Sequence, residues 1–164
     1  MKNLSFSEIN DGDHFEDLVA AYFKDLINDT DSKIIQVEVK KSGVGTDGGV
    51  DIIVEYLFTD DIKTFKRKWV VQCKFLNKNI SPSKINSVNI PTLINSRGAN
   101  GYLLVCKKKP TSKLTNLFEE LNGNCDRKYQ YICWDGLEFL SKVRHRPNIH
   151  DDFFPIYSAT QKSS

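Results

Sequence analysis

The sequence predicts an α/β fold in which a central mixed β-sheet is flanked by helices, in the element order αβββαβαβα. Three observations predict it: an amphipathic helix pattern opens the chain, three strand patterns follow in succession, and strands then alternate with helices. The 164 residues suit one domain, which we expect at residues 1–150. Residues 151–164 are expected to be a polar tail, which would serve as a linker in a larger parent protein.

The first half of the chain supplies one helix and three strands. DHFEDLVAAYFKDLIN has apolar residues at helical spacing, with Asp13 as the candidate N-cap and Glu16 three residues later. KIIQVEVKK, GVDIIVEY and KWVVQCKF are rich in β-branched and aromatic residues and predict strands. The last two strands are joined by the polar stretch LFTDDIKTFKR, which we expect to be a loop.

The second half alternates between helix and strand. SPSKINSVNIPTLINSRGAN predicts a helix that is kinked or broken near Pro91. GYLLVCK predicts a buried strand, PTSKLTNLFEELNGN a helix with an N-cap at its front, YQYICW the last strand and DGLEFLSKV the last helix. The final SATQKSS is polar and is expected to be disordered.

Composition narrows the class of protein. Hydrophobic residues make up 40% and charged residues 27%, which is ordinary for a soluble globular protein. The net charge is only +2, so any surface for nucleic acid must be local. No stretch resembles a membrane span or a secretory signal. The cysteines lack CxxC spacing, which favours reduced thiols in a cytoplasmic protein; they are Cys73, Cys106, Cys125 and Cys133.

The glycine-rich stretch GVGTDGGVDIIVEY allows two interpretations. Gly43, Gly45 and Gly48 match the spacing of a dinucleotide-binding loop. Such a loop must lead into a helix whose N-terminus meets the pyrophosphate, but here a strand follows. The dinucleotide interpretation is therefore excluded. The remaining interpretation is a metal site, because Asp47 and Asp51 lie on the bend that enters this strand.

The next strand supports the metal site. In KWVVQCKF, side chains alternate, so Gln72 and Lys74 share one face about 7 Å apart. The opposite face, with Val71 and Cys73, is expected to pack into the core. If the two strands pair, Asp51 lies opposite Gln72 and Lys74. A hard cation would then find the Asp51 carboxylate, the Gln72 side-chain oxygen and the Cys73 backbone carbonyl, while Lys74 would stabilise charge developing on a phosphate.

DGGVDI (residues 47–52) followed by VVQCK (residues 70–74), after the FEDLVAAYF helix and before the GYLLVC strand, resembles the Mrr-like restriction endonucleases of the PD-(D/E)XK nuclease superfamily. The resemblance covers residues 13–140 and implies a restriction-endonuclease-like core. It implies that Asp51 and Gln72 are metal ligands and that Lys74 is the catalytic lysine. It also implies Glu16 as the helix glutamate that completes the catalytic site and contacts the metal through water. The implied metal is Mg²⁺, with Mn²⁺ able to substitute.

Other residues near this motif keep two interpretations. Glu16 can instead be the partner of Asp13 in a capping box, and Asp47 can either be an accessory ligand or only shape the bend. KTFKRKW and CKKKP are basic clusters on predicted loops, either solvated surface or contacts to DNA phosphates. The DNA-binding candidates are Lys66, Arg67, Lys68, Lys78, Lys107, Lys108 and Lys109.

The resemblance implies a metal-dependent DNA endonuclease in antiviral defence against foreign DNA, acting in the cytoplasm. The chain is expected to work as the effector domain of a larger sensing system or with a sensor protein. Two other functions stay open: a catalytically silent nucleic-acid-binding module, and a junction-resolving or repair nuclease. A double-strand break needs two opposed sites, so a homo-oligomer is expected. Its candidate surface is formed by Leu117, Phe118, Leu121, Phe139 and Leu140, which can equally cover the sheet.

Overall fold

The structure is a computed structural model that describes residues 3–42, 49–85, 89–124 and 128–163, without the side chain of Asn124. Within these ranges the chain forms five strands and six α-helices. The strands are β1 (Ile34–Lys41), β2 (Ile52–Thr59), β3 (Thr64–Lys74), β4 (Gly101–Cys106) and β5 (Gln130–Trp134). The helices are α1 (Gly12–Asp25), α2 (Ile90–Ser96), α3 (Ser112–Asn124), α4 (Gly136–Arg144), α5 (His150–Phe153) and α6 (Pro155–Lys162). None of the helices in these ranges has the length and apolar character needed to cross a membrane.

The five strands form one sheet in the order β1-β2-β3-β4-β5. The first three strands pair antiparallel, and β4 and β5 add in parallel to β3. This arrangement confirms the predicted mixed sheet, and the predicted order of helices and strands holds from α1 to α4. It also has a physical cause, because short connections join antiparallel neighbours whereas parallel neighbours need a crossover, here provided by α2 and α3.

Helices cover both faces of the sheet. We call the face of the sheet that is covered by α1 and α4 the α1 face; there Phe15 and Phe139 pack in one core with Val71 of β3. We call the opposite face, which is covered by α2 and α3, the α3 face; there Leu114 packs in a second core with Val70. Every residue of β4 is buried, as expected for the central parallel strand of a sheet covered on both faces. This explains the uninterrupted apolar run GYLLVC.

The stretch predicted to be a polar loop between β2 and β3 is mostly strand. The pairing of β2 with β3 continues out to Thr59 and Thr64, which leaves a tight turn. In this turn the Asp60 side chain accepts hydrogen bonds from the backbone N–H groups of Ile62 (3.0 Å) and Lys63 (2.7 Å). The Asp60 carboxylate thus shapes a short hairpin, and the basic cluster that follows lies on a strand.

The start of α1 differs from the sequence prediction, whereas the start of α2 agrees with it. The N-cap of α1 is Asp11, whose side chain accepts a hydrogen bond from the His14 N–H at 2.8 Å, and Asp13 instead lies in the first turn. In agreement with the break predicted near Pro91, the segment before β4 contains a short turn at Pro82–Lys84 and a separate helix α2, which begins at Ile90 and has Pro91 in its first turn. Proline is favourable there because the first turn needs no backbone donor at that position.

The C-terminal segment is helical and packed, contrary to the expectation of a disordered polar tail. Residues 150–153 and 155–162 form α5 and α6. Phe154 between them is fully buried, and Tyr157 of α6 is also part of the core on the α1 face. The Glu8 carboxylate accepts hydrogen bonds from the Ile156 N–H at 2.7 Å and the Tyr157 N–H at 3.1 Å. The burial of Phe154 and Tyr157 and the two hydrogen bonds to Glu8 therefore hold this segment against the core, despite the polar composition of SATQKSS.

The apolar residues considered as an oligomer surface mainly cover the sheet. Phe118 of α3 and Phe139 of α4 are buried in the two cores. Leu117, Leu121 and Leu140 are half-buried against them. These five residues therefore have a structural role within the chain.

Candidate active site

One edge of the sheet collects the residues singled out by the sequence. Strand β1 ends there at Lys41, β2 begins there immediately after Asp51, and β3 ends there at Lys74. Strand β4 runs parallel to β3, so its end at Cys106 lies at the same edge. We call this edge, defined by Lys41, Asp51, Lys74 and Cys106, the Asp51 edge.

The Asp51 carboxylate is anchored to strand β3. The regular ladder between β2 and β3 ends with Ile52 opposite Val71, and Asp51 is the residue that immediately precedes Ile52. The Asp51 N–H donates to the Val71 carbonyl at 3.0 Å, and Asp51 Oδ2 accepts a hydrogen bond from the Cys73 N–H at 2.6 Å. The backbone N–H of Cys73 is thus bonded to a side-chain oxygen rather than to a backbone carbonyl of β2. The strand pairing expected from the sequence is present.

The environment of Asp51 disfavours an unneutralised charge. Burial raises the pKa of the Asp51 carboxyl group, while the Cys73 hydrogen bond and the charges of Lys74 and Lys41 act in the opposite direction. Because burial is the largest cause, the carboxylate loses more hydration than its neighbours replace. An added cation would compensate for this loss.

Glu16 belongs to the same electrostatic environment. Burial raises the pKa of Glu16, and the negative charge of Asp51 is the second cause, which indicates that the two carboxylates are near each other. The capping-box alternative for Glu16 is excluded, because the N-cap is Asp11 and Glu16 lies beyond the first turn. Lys41 was not identified from the sequence, yet its Nζ lies 3.9 Å from Glu16 Oε2 and 2.6 Å from Asp17 Oδ1.

Gln72 lies on the α3 face, which is covered more than the sequence indicates. The sequence predicts that Val71 and Cys73 pack into a core, and they do so on the α1 face. The opposite side of β3 is also covered, so Gln72 is only 5% exposed. Its Oε1 accepts a hydrogen bond from the Tyr102 hydroxyl group. Tyr102 could not be identified from the sequence, because only the register between β3 and β4 brings it to Gln72.

The oxygen atoms at the Asp51 edge fit a hard divalent cation. The Asp51 carboxylate and the Gln72 amide oxygen would be the side-chain donors to such a cation. In an antiparallel ladder the N–H and C=O groups of a residue are directed to the same neighbouring strand, so the Cys73 carbonyl faces the Asp51 side. All three are the oxygen ligands that Mg²⁺ and Mn²⁺ accept. Within the described ranges, no three His, Cys, Asp or Glu side chains gather as a metal site. Asp47 lies outside these ranges.

Some of the predicted DNA-binding lysines follow β3 and β4 at this edge. The loops after the two strands are joined, because the Ile80 N–H donates to the Lys109 carbonyl at 2.9 Å. Lys107 Nζ donates to Asn77 Oδ1 at 2.7 Å and lies 4.3 Å from the centre of the Phe75 ring. We call the basic residues of these two loops the lysine rim; they are Lys78, Lys84, Lys107, Lys108 and Lys109.

Lys84 is the member of the rim that the sequence did not indicate. Lys78 lowers the pKa of Lys84, with a smaller contribution from the charge of Lys74. A lowered pKa in an exposed lysine indicates that cations crowd one another there. Such crowding is relieved when an anion binds. An isolated lysine in SPSKINS carries no signal of this in the sequence.

Lys66, Arg67 and Lys68 are not brought to the Asp51 edge. They lie in the first half of β3, and at about 3.3 Å per residue they are about 20 to 26 Å from Lys74. Glu55 on β2 neutralises part of their charge, since its carboxylate lies 3.2 Å from Lys66 Nζ and 3.5 Å from Lys68 Nζ. The structure thus separates two basic clusters that are equivalent candidates in the sequence.

The solved structures that are similar to this chain include two restriction endonucleases. The DNA modification-dependent restriction endonuclease AspBHI has a TM-score of 0.56 and 14% identity, over 80% of this chain and 30% of that one. The MspJI restriction endonuclease, in complex with a 27-mer oligonucleotide, has a TM-score of 0.53 and 18% identity, over 88% of this chain and 29% of that one. At these identities the similarity shows the fold. This chain spans less than a third of either protein.

No curated protein matches the chain. The model of the Mrr_cat family, described as restriction endonuclease, matches residues 8–133. That range contains helix α1, all of the Asp51 edge and four of the five strands in full. It confirms the resemblance indicated by DGGVDI and VVQCK. Because the match extends over well more than half of its residues, the chain belongs to the Mrr_cat family of restriction endonucleases.

Proposed function

We propose that the chain is a Mg²⁺-dependent DNA endonuclease, with Mn²⁺ able to substitute, whose catalytic residues are Asp51, Gln72, Lys74 and Glu16. The observation that carries this proposal is the anchored Asp51 carboxylate. It accepts a hydrogen bond at 2.6 Å from the N–H of Cys73, which lies between Gln72 and Lys74 on β3. This combination of an anion, a neutral oxygen donor and a cation is what phosphodiester hydrolysis requires.

In the proposed site, Asp51, Gln72 and the Cys73 carbonyl would hold the cation, and Glu16 would contact it through water. A bound divalent cation supplies Lewis acidity, which polarises a phosphate and lowers the pKa of a coordinated water molecule. The chain itself supplies the alignment of these ligands. The Asp51 carboxylate is held by the Cys73 N–H, and the Gln72 amide by the Tyr102 hydroxyl group.

Lys74 and Glu16 have complementary roles in this proposal. Lys74 contributes a positive charge beside the phosphate, whose non-bridging oxygens gain negative charge as the new P–O bond forms and the old one breaks. Glu16 is suited to accept a hydrogen bond from the attacking water, because burial and Asp51 raise its pKa above that of an ordinary carboxylate. Lys41 would keep the Glu16 side chain near the site through its contacts with Glu16 and Asp17.

We propose duplex DNA as the substrate, held through backbone phosphates by the lysine rim. The rim follows the two strands that end beside Lys74, so a bound strand would pass the catalytic residues. Lys66, Arg67 and Lys68 are assigned a smaller role, because they are distant and partly neutralised by Glu55. The similar MspJI restriction endonuclease was solved in complex with an oligonucleotide, which supports a nucleic-acid substrate by analogy.

The proposed biological role is defence against foreign DNA in the cytoplasm. The chain would act as the nuclease effector of a larger sensing system, since it corresponds to only about 30% of each similar restriction endonuclease.

A homo-oligomer remains part of the proposal, because opposed cuts in two strands need two sites. The surface for it would differ from the five apolar residues that cover the sheet; Leu137 on α4, which is 70% exposed, is one candidate.

The substrate assignment is tested with four labelled nucleic acids of matched length: duplex DNA, single-stranded DNA, a four-way junction and duplex RNA. The purified chain is incubated with each at several Mg²⁺ concentrations, with EDTA as the control. We expect cleavage of duplex DNA without marked sequence preference. Preferential cleavage of the junction would favour a resolving nuclease, whereas binding without cleavage in Mg²⁺ or Mn²⁺ would favour a silent binding module.

A further inference from the structure

Tyr102 is a buried tyrosine whose hydroxyl group donates a hydrogen bond to Gln72, one of the proposed metal ligands. It lies on β4 opposite Val70 of β3, so its side chain shares the α3 face with Gln72. The side chain is fully buried, with its ring 6.0 Å from that of Phe118 in an edge-to-face arrangement. A buried hydroxyl group needs a hydrogen-bond partner, and the Tyr102 O–H donates to Gln72 Oε1.

A glutamine ligand has an orientation problem that a carboxylate lacks. The two ends of its amide are nearly equal in shape, but only Oε1 has lone pairs for a cation, whereas Nε2 carries two donor hydrogens. A reversed amide would direct a donor at the cation and leave the ligand position without an oxygen. A glutamate at the same position would offer an acceptor oxygen in either orientation.

We propose that Tyr102 is a positioning residue that selects the ligating orientation of Gln72. The inference rests on the proposed function, in which Gln72 contributes a ligand oxygen. Donation by Tyr102 uses one acceptor position of Oε1 and leaves the other for a cation. If the amide reversed, the Tyr102 hydroxyl proton would lose this acceptor inside the core, which is unfavourable for a buried donor.

The test is Mn²⁺ binding to the full chain without DNA, measured by calorimetry for wild type and Tyr102→Phe. The substitution removes one oxygen atom and keeps the ring in the core. We expect the Mn²⁺ affinity to fall about tenfold, as for the loss of a group that orients a ligand. In a Gln72→Glu background the same substitution should change the affinity less than about twofold, since a carboxylate needs no orientation.

Tyr131→Phe is the matched control, because Tyr131 is buried in the same core on the neighbouring strand β5. It should leave the Mn²⁺ affinity unchanged. The inference is overturned if Tyr102→Phe binds Mn²⁺ as tightly as wild type. It is also overturned if Tyr102→Phe loses the same factor in the wild-type and Gln72→Glu backgrounds, which would indicate a general packing effect.

A further pair of variants separates this inference from the proposed function. Gln72→Leu and Asp51→Asn remove ligand atoms, so both should weaken Mn²⁺ binding; unchanged binding in both would contradict the metal site itself. If both lose binding and Tyr102→Phe does not, only the role of Tyr102 is wrong. Should Tyr102→Phe fail to fold, NMR of the wild type decides: Mg²⁺ should shift the Gln72 side-chain amide and Tyr102 ring signals together, and unmoved signals overturn the inference.

Discussion

The Oδ2 atom of Asp51 accepts the backbone N–H of Cys73 at 2.6 Å, so the proposed metal-binding carboxylate also ends the pairing of β2 with β3. One side chain therefore has a structural role and a proposed chemical role, and substitutions can separate them. Asparagine at this position keeps an acceptor for the Cys73 N–H but has no charge. Alanine removes both.

Asp51→Asn is expected to abolish Mg²⁺-dependent cleavage while leaving the metal-free protein as stable as wild type or more stable. The reason is that burial raises the pKa of Asp51, so its charged form is disfavoured in the folded state. Asp51→Ala should also be inactive but destabilised by about 1–3 kcal/mol, since the Cys73 N–H loses its acceptor. Urea unfolding in EDTA measures both; equal stabilities of the Asp51→Asn and Asp51→Ala proteins would show that the hydrogen bond contributes nothing.

The stability difference between Asp51→Asn and wild type should depend on pH. A raised folded-state pKa means that the folded protein binds the Asp51 proton more tightly than the unfolded chain does. Above the folded-state pKa, the ionised Asp51 side chain therefore lowers the free energy of unfolding. This destabilisation disappears as the pH falls from the folded-state pKa to the ordinary pKa of an aspartate. We expect the advantage of Asp51→Asn to be largest near neutral pH and to vanish in acid. An advantage that grows on acidification would contradict the burial of this carboxyl group.

Gln72→Glu is expected to retain cleavage and to bind Mn²⁺ at least as tightly as wild type, because a carboxylate supplies an oxygen and a further negative charge. Gln72→Leu should be inactive, since no ligand oxygen remains. Because Gln72 is buried, we also expect Gln72→Glu to destabilise the metal-free protein, and Mn²⁺ to raise its melting temperature more than that of wild type. Cleavage and metal-dependent melting are measured side by side. Equal activity of the Glu and Leu variants would mean that Gln72 does not touch the metal.

The lysine rim is expected to dominate DNA affinity. Replacing Lys78, Lys108 and Lys109 by Gln should weaken duplex binding at least about tenfold and reduce the slope of log affinity against log salt by about 3, near 0.9 per lost phosphate contact. The matched control replaces Lys66, Arg67 and Lys68 by Gln and changes the same formal charge. Binding is measured by fluorescence anisotropy with Ca²⁺ in place of Mg²⁺. If the control variant loses more DNA affinity than the rim variant, the main DNA-binding surface lies on the first half of β3 instead.

The sequence was sufficient for what depends on local pattern. Alternation in KWVVQCKF and the apolar run GYLLVC predicted β3 and β4, and parity put Gln72 and Lys74 on one side of β3. The N-cap of α1 and the C-terminal helices depend instead on tertiary packing, which a local sequence pattern does not show. The N-cap shifted from Asp13 to Asp11, and the C-terminal residues form helices because Phe154 and Tyr157 reach the core.

Contacts between distant parts of the chain could not be predicted in the same way. Tyr102 contacts Gln72 because β3 and β4 pair in one particular register, and Lys41 contacts α1 residues because β1 ends at the Asp51 edge. The two basic clusters looked equivalent in sequence, since both flank the motif. The length of β3 separates them, because a strand carries Lys66 and Lys68 away from Lys74.

The most direct test of the proposed site is cleavage of supercoiled plasmid by the purified chain, with wild type, Asp51→Asn and Lys74→Met compared in Mg²⁺ and in EDTA. Circular dichroism and melting curves first establish that all three proteins are folded. We expect wild type to nick and then linearise the plasmid in Mg²⁺ and to be inactive in EDTA. Both variants should be slower by a factor of about a hundred or more, the loss found when one charge-stabilising group is removed. Cleavage by the wild type in EDTA, or undiminished cleavage by both folded variants in Mg²⁺, would contradict a metal-dependent nuclease built on Asp51 and Lys74.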